Sequence, residues 1–357
     1  MKPKGDAMRD DANLNKKIQK TGELLHVCSQ PLPQNSQLLW TEHLTIRRIL
    51  AEISAAENFS SETTPPRGEF LAPFEKWCSK MGILAEKIKI SVDDDQNFGL
   101  YAHENLNVES ILAEIPSKAV FSCNFAKKSD LKLPCEKDPI LKAMPNVILS
   151  ISILNEKLKA GESKWKAYID FLPKHYTTPL YFTISEMEFL KNTFIYEDSL
   201  KLYRNVARQY AYFSQILSNE KNYFEKTAIK FENFTFDLYR WATSTVMTRV
   251  NSCKNLPIMI PFLDMANHDP RLEESLDYDE NRGKAVLYAA RNYEKGQEIR
   301  IFYGKRTNGE FLLNNGFVGQ VLQPQKKKET RQGKKLKRQK TEKTKKTKQK
   351  KDKKGTD

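Results

Sequence analysis

The chain has five cysteines (Cys28, Cys78, Cys123, Cys135, Cys253) and no CxxC pair among them. A thiolate zinc site is therefore not expected, and scattered cysteines of odd number predict reduced thiols in a cytosolic or nuclear protein. Histidine is scarce as well. His26, His43, His103, His175 and His268 form no HxH or HxxxH pair, so no metal centre is predicted. No GxSxG is present, which removes the nucleophile elbow of a serine hydrolase. No apolar run approaches the ~18 residues a membrane helix needs. The first residues, MKPKGDAMRDDANLNKK, lack the apolar segment of a secretion signal. The expectation is a soluble intracellular protein.

Acidic residues are also thin at one end. Between Val321 and Asp357, 17 Lys and Arg face four acids. That segment carries +13 of the formal net charge of +14 and leaves the preceding 320 residues at about +1. It has almost no apolar residues, so it is predicted to be a disordered Lys-rich tail over 321–357. Its charge suits nucleic acid or an acidic protein surface, and KKLKRQK resembles a nuclear import signal. The plainer reading is a solvated end with no specific partner.

The whole chain is 39% hydrophobic, enough for a packed core. Residues 1–66 read as an N-terminal helical and partly disordered segment. They begin polar, and SQLLWTEHLTIRRILAEISAAE then carries helical periodicity up to the breaker SSETTPP. FLAPFEKWCSKMGI reads as a short amphipathic helix. IKISVDDDQNFGLYA and SILAEIPSKAVFS read as strands. From about 125 to 250, NVILSISILNEKL, RNVARQYAYFSQIL and FDLYRWATSTVMTRV are helical. Strands return in PIMIPFLDMA, KAVLYAARNY and EIRIFYG, the last two joined by a plain hairpin at NYEKGQEI. The prediction is an α+β domain over 67–320 whose short strands are interrupted by a large helical insertion.

PFLDMANHDP, residues 261–270, concentrates Asp264, Asn267, His268 and Asp269. By itself it reads as a turn, since Asn and Asp-Pro favour turns. Other segments add to it. Arg249 and Asn251 end a helical stretch, and Tyr303 and Gly304 end an apolar strand. Asn308 and a NNGF turn follow, and Gly99 beside Phe98 permits close backbone approach.

In this order, PRGEFLAPFEKW, FLPKHYTTPLYF, NVARQYAYF, YRWATSTVMTR, DMANHD and IFYGKRTNGEF resemble a SET-domain protein methyltransferase. The resemblance runs from roughly Leu39 to Phe317. It points to the subclass of the Rubisco large-subunit methyltransferase, and within it to the actin-histidine branch. It implies a knot-like crossing, S-adenosylmethionine as cofactor, and methyl transfer to a protein through a narrow channel. Such a transfer depends on positioning and desolvation. By the resemblance, the cofactor-binding residues are Arg67, Gln96, Phe98, Arg249, Asp264, Asn267, His268 and Phe317. Tyr303 closes the methyl-transfer channel and Asn251 hydrogen-bonds the ring of a target histidine. Leu263 and Arg306 face the substrate peptide.

The resemblance thus implies a protein-histidine N-methyltransferase acting on actin, cytoplasmic and also nuclear. Asn251 argues for histidine, whose neutral ring is plentiful at pH 7, whereas lysine must first lose a proton. Two alternatives stand beside it: a protein-lysine methyltransferase acting on histone or non-histone protein, and a truncated, weakly active binding protein. The second arises because the family continues past the SET core into a helical substrate-binding domain, where this sequence turns to lysine.

Overall fold

The computed structural model describes residues 4–57, 65–93, 97–253, 256–279 and 282–319, with the side chains of 4–11, 253 and 256 left undescribed. Residues Met1–Val318 form one compact unit. Two long helices lead, α1 (Lys4–Ser29) and α2 (Ser36–Ala56). The polar opening hid α1. It is held by Leu24 and Cys28, both fully buried in the core, and by a buried cation: Lys17 Nζ lies 3.0 Å from Glu57 and donates to the carbonyls of Phe231 and Phe234 at 2.9 Å. Asn35 starts α2 by accepting from Leu38 N–H at 2.9 Å. Leu39, Ile46, Ile49, Leu50 and Ile53 then bury one stripe of that helix.

Helix α3 (Leu71–Met81) ends at Gly82, whose φ of +76° suits a residue without Cβ. The strands β1 (Ile88–Val92), β2 (Phe98–Ala102), β3 (Ile111–Pro116) and β4 (Phe121–Ser122) follow. Eight helices then occupy the middle: α4 (Cys123–Ala126), α5 (Lys132–Lys137), α6 (Pro139–Ala143), α7 (Pro145–Leu158), α8 (Lys166–Phe171), α9 (Ile184–Phe189), α10 (Tyr196–Leu217) and α11 (Phe236–Arg249). This is the helical insertion that the periodicity predicts. Strands resume as β5 (Val250–Cys253), β6 (Leu256–Met259), β7 (Asn267–His268), β8 (Leu276–Asp279), β9 (Lys284–Tyr288) and β10 (Glu298–Ile301), before α12 (Asn308–Asn315).

The strands form three small sheets, ordered β1-β2-β10-β7, β3-β9-β8 and β4-β6-β5. Here the hairpin expected at NYEKGQEI is corrected. β9 pairs with β3 and β8, whereas β10 pairs with β2 and β7. The connection leaves one sheet for another because Tyr293 bridges to Leu106 instead of folding β10 back onto β9. The apolar run PIMIPFLDMA is strand only as far as Met259. Phe262 adopts φ +77° and ψ −54°, a strained γ-turn geometry that redirects the chain into a 3-10 turn over Leu263–Met265.

The crossing lies where β7 runs parallel to β10, with Asn267 opposite Arg300 and His268 opposite Ile301. Inserted and flanking helices share a core of aromatic residues. Phe74 stacks on Phe171 at 4.9 Å, and Trp165 meets Phe121 edge-on at 5.0 Å. That core holds the loop after β6 against the strand that carries Tyr303. Among the described residues no helix is long and apolar enough to cross a membrane.

Candidate active site

Two cavities meet at the ends of β5 and β10. The larger is about 250 Å³ and the smaller about 40 Å³. Both are lined by Asn251, Tyr303 and Arg306. The smaller also touches Arg249, Leu263 and Asp264. The larger instead reaches along β8, and none of the expected cofactor residues lines it. The expected catalytic pair thus stands at the boundary between the two spaces.

Behind the smaller cavity lies a buried cluster of charge. Asp264 has a fully buried side chain, with Arg249 Nη1 3.7 Å from its carboxylate. Tyr168 donates to Asp264 Oδ2 at 2.6 Å, and Arg249 Nη1 donates to the Asp264 carbonyl at 2.5 Å. Burial pushes the Asp264 carboxyl up, and Arg249 and Tyr168 pull it back. Burial also works against the Arg249 charge, but Asp264, with Tyr176 and Tyr168, outweighs it and raises that pKa.

Arg67 is different. Its guanidinium lies 4.6 Å from the centres of both the Phe98 and Phe171 rings and donates to the Phe171 carbonyl at 2.6 Å. Among the described residues it has no carboxylate within ion-pair distance. Burial, then Arg249, lowers its pKa to about 9, so it stays cationic at neutral pH.

Asn267 and His268 sit on the crossing strand. Asn267 Nδ2 donates to Glu298 Oε1 at 2.7 Å and to the Phe98 carbonyl at 3.3 Å. Gly99 is needed beside that pair, because a Cβ there would lie 3.0 Å from Glu298 Oε1 and 3.3 Å from Asn267 Nδ2. Its close approach is to these side chains. His268 Nδ1 lies 3.2 Å from the Tyr303 N–H and 3.3 Å from the Ile301 carbonyl, so either ring tautomer finds a partner there. Burial lowers the His268 pKa. The ring lies 4.7 Å from Phe311 and 6.2 Å from Phe317, and the two phenylalanines stack at 5.1 Å. Phe317 is aimed by Gly316, at φ +80°, where a Cβ would fall 2.6 Å from Thr177 Oγ1 and 2.8 Å from its backbone.

Tyr303 donates its hydroxyl proton to the Ala266 carbonyl at 2.5 Å. Burial raises its pKa to about 12, so it remains a neutral phenol. Asn251 Nδ2 donates to the Arg249 carbonyl at 3.3 Å. Arg306 is exposed and donates to Asn315 Oδ1 at 2.6 Å. Leu263, expected at the peptide, is buried and lines the smaller cavity and not the larger. Gln96 lies outside the described residues. Every other expected site residue falls in this one region.

Sequence reasoning passed over Tyr168, Phe171, Glu298, Phe311 and Asn315. The sequence assigns no role to Tyr168, Phe171 lies in a segment that carries only the family likeness, and Asn315 reads as part of a turn. Three buried polar atoms of the region have no partner among the described residues: Arg249 Nε, Asp264 Oδ1 and His268 Nε2. Buried polar atoms are normally paired, and these three are open to a polar ligand. No group of three His, Cys, Asp or Glu able to hold a metal is found among the described residues.

Comparison with known proteins agrees with this layout. The SET domain family matches residues 97–304. The actin-histidine N-methyltransferase of Gallus gallus is 34% identical over 304 residues, covering 83% of this chain and 50% of the relative. Its Homo sapiens counterpart is 33% identical with the same coverage. This chain therefore spans about half the length of these curated relatives. Among solved structures, the SET domain of LSMT bound to lysine and AdoHcy has a TM-score of 0.63 at 18% identity, covering 71% of this chain and 58% of that one. Rubisco LSMT bound to AdoMet has a TM-score of 0.60 at 19% identity, covering 72% and 57%. A threaded β7 beside β10, a glycine-bearing β2 and a tyrosine at the strand end thus coincide with a family match across more than half of the sequence, and the chain belongs to the SET domain family.

Proposed function

We propose that this chain is an S-adenosylmethionine-dependent protein N-methyltransferase whose target is a histidine of actin. The observation that carries this reading is the placement of Asn251 and Tyr303 on the boundary of both cavities, beside the buried Arg249–Asp264 pair. The name shared by the curated relatives supports the substrate.

The residues present fit the cofactor. Arg67 lacks a carboxylate partner and suits the carboxylate of a bound amino acid. Asp264 Oδ1 has no donor and suits an ammonium. The unpartnered His268 Nε2 and the Phe311–Phe317 stack suit the edge and face of a purine. When bound, S-adenosylmethionine supplies an electrophilic methyl group.

The protein's part is positioning. Asn251 can accept an imidazole N–H through its amide oxygen, which turns the other ring nitrogen toward the boundary. Tyr303, neutral and fixed by Ala266, presents a hydroxyl oxygen there without becoming a competing nucleophile. A neutral imidazole needs no strong base to activate it.

The test is to incubate the full chain with S-adenosylmethionine and, separately, with actin and with histones, and to locate the methyl group by mass spectrometry. Methyl-histidine on actin is expected, weakened by Asn251→Leu. Methyl-lysine alone would overturn the histidine assignment. Cofactor binding with no methylation of either protein would leave a binding protein. We further assign the chain to the cytoplasm, with entry to the nucleus through KKLKRQK, and the basic segment to an acidic protein surface. A fluorescent fusion lacking 321–357 should lose the nuclear fraction.

A further inference from the structure

The wall of the larger cavity carries a feature that the methyl-transfer reading does not use. Glu274 and Asp277 line it, and both are exposed. Among the described residues neither has an ion-pair partner, and the one contact of either carboxylate is Asp277 Oδ1 accepting from Tyr278 N–H at 2.8 Å. Between them Ser275 is 9% exposed, lines the same cavity, and has an Oγ without any hydrogen-bond partner among the described residues. A buried hydroxyl left unpaired is costly, and Ser275 stands in the same wall as two carboxylates that also lack counter-charges among the described residues. The cation on this cavity, Arg306, already donates to Asn315.

We propose that this wall is a specificity subsite that binds the cationic side chain of a lysine or arginine flanking the target residue in the substrate protein. It rests on the reading of the larger cavity as the protein-substrate side. The ammonium or guanidinium donates to Glu274 and to the open side of Asp277, and Ser275 Oγ accepts a further N–H. A cation held in this way places its neighbours in the chain beside Asn251 and Tyr303, which line the same cavity. Exposed pairs are individually weak, so the combined preference should be about five- to tenfold and should shrink as salt rises.

The experiment is a peptide scan with the 357-residue chain. Labelled peptides with a central histidine, and a second set with a central lysine, carry Lys, Ala or Glu at each flanking position in turn. Binding is read by fluorescence anisotropy and methylation separately by mass spectrometry. One flanking position should bind the Lys peptide about five- to tenfold more tightly than the Ala peptide. Glu274→Gln with Asp277→Asn should bind the two alike, and Glu274→Lys with Asp277→Lys should favour Glu at that position. No flanking preference for a cation, or one that survives both double variants, would overturn the proposal. The two readings fail separately. Histidine methylation without charge preference removes the subsite alone, whereas charge-dependent binding with only lysine methylated removes the histidine assignment and leaves the subsite standing.

Discussion

The two sides of the Asn251–Tyr303 boundary are built on opposite principles. Behind it, every charge is buried and cross-braced: Asp264 touches both Arg249 and Tyr168, and Arg67 is clamped between two rings. In front, Glu274, Asp277 and Arg306 stand in solvent with few partners. Low dielectric makes each interaction behind the boundary strong and each omission costly, whereas water screens those in front. The difference teaches that the side set for a constant ligand can be rigid. The side meeting a large, variable partner can be assembled from weak contacts that change cheaply.

The sharpest way to break this contrast is Asp264→Ala. It strands the Arg249 guanidinium, whose side chain is only 12% exposed, without a counter-charge. Removing one member of a buried pair costs about 3–5 kcal/mol, so urea unfolding should show a loss of that order. Asp264→Asn, which keeps an acceptor for Tyr168, should recover part of it. A loss under about 1 kcal/mol, the ordinary range for exposed pairs, would show that the rear charges are not a coupled unit. Next in size is Tyr303→Phe. It deletes the hydroxyl that meets Ala266 while the ring keeps its place 5.2 Å from His268. Turnover should fall about a hundredfold with an unchanged melting temperature. Near-normal methylation would remove the hydroxyl from the reaction.

The same contrast explains how much was readable in advance. The elements with one dominant periodicity, α2, α7, α10 and α11, were legible, as were the DMANH and IFYG segments through their family likeness. The partners were not. Nothing in AYIDF says that Tyr168 will reach Asp264, 96 residues away, because that bond exists only after α8 packs behind the loop. The NYEKGQEI connection fails for a related reason. Local alternation fits a hairpin, and sheet membership is decided by Tyr293 finding Leu106 and by β10 finding β2 and β7. Helix α1 was hidden because its polar start carries little apolar signal, and its hold on the body combines a buried lysine with Leu24 and Cys28 in the core and Gln215 bonded to Ile18 and Thr21. Ser275, Glu274 and Asp277 look like any polar loop until one cavity collects them.

A pH profile separates the target from the machinery. With the Tyr303 hydroxyl held near 12, no group of the boundary should titrate on the alkaline side below about pH 10. The acid limb then belongs to the substrate. For a histidine target, kcat/KM should rise through about pH 6.5, tenfold per pH unit below it, and then stay level until Arg67 titrates at about 9, because only the neutral ring attacks. A lysine target would rise without a plateau to about pH 10. An alkaline decline centred near pH 9 would report loss of the Arg67 cation, and one that persists in Arg67→Gln would contradict the raised phenol.

The smallest effect tests the exposed side. Arg306 lies in solvent, its one strong bond goes to Asn315, and its guanidinium is 5.9 Å from the Phe311 ring. Arg306→Ala should leave stability within about 0.5 kcal/mol, the usual range for surface substitutions. It should change peptide affinity by less than about 1 kcal/mol, with the difference fading as ionic strength rises. Stability is read by urea unfolding and affinity by anisotropy at two salt concentrations. A larger, salt-resistant loss would mean that Arg306 works through Asn315, which also donates to the Thr248 carbonyl at 3.4 Å one residue before Arg249. The exposed side would then be tied into the buried one, and substrate contacts would be coupled to the cluster that we assign to the cofactor.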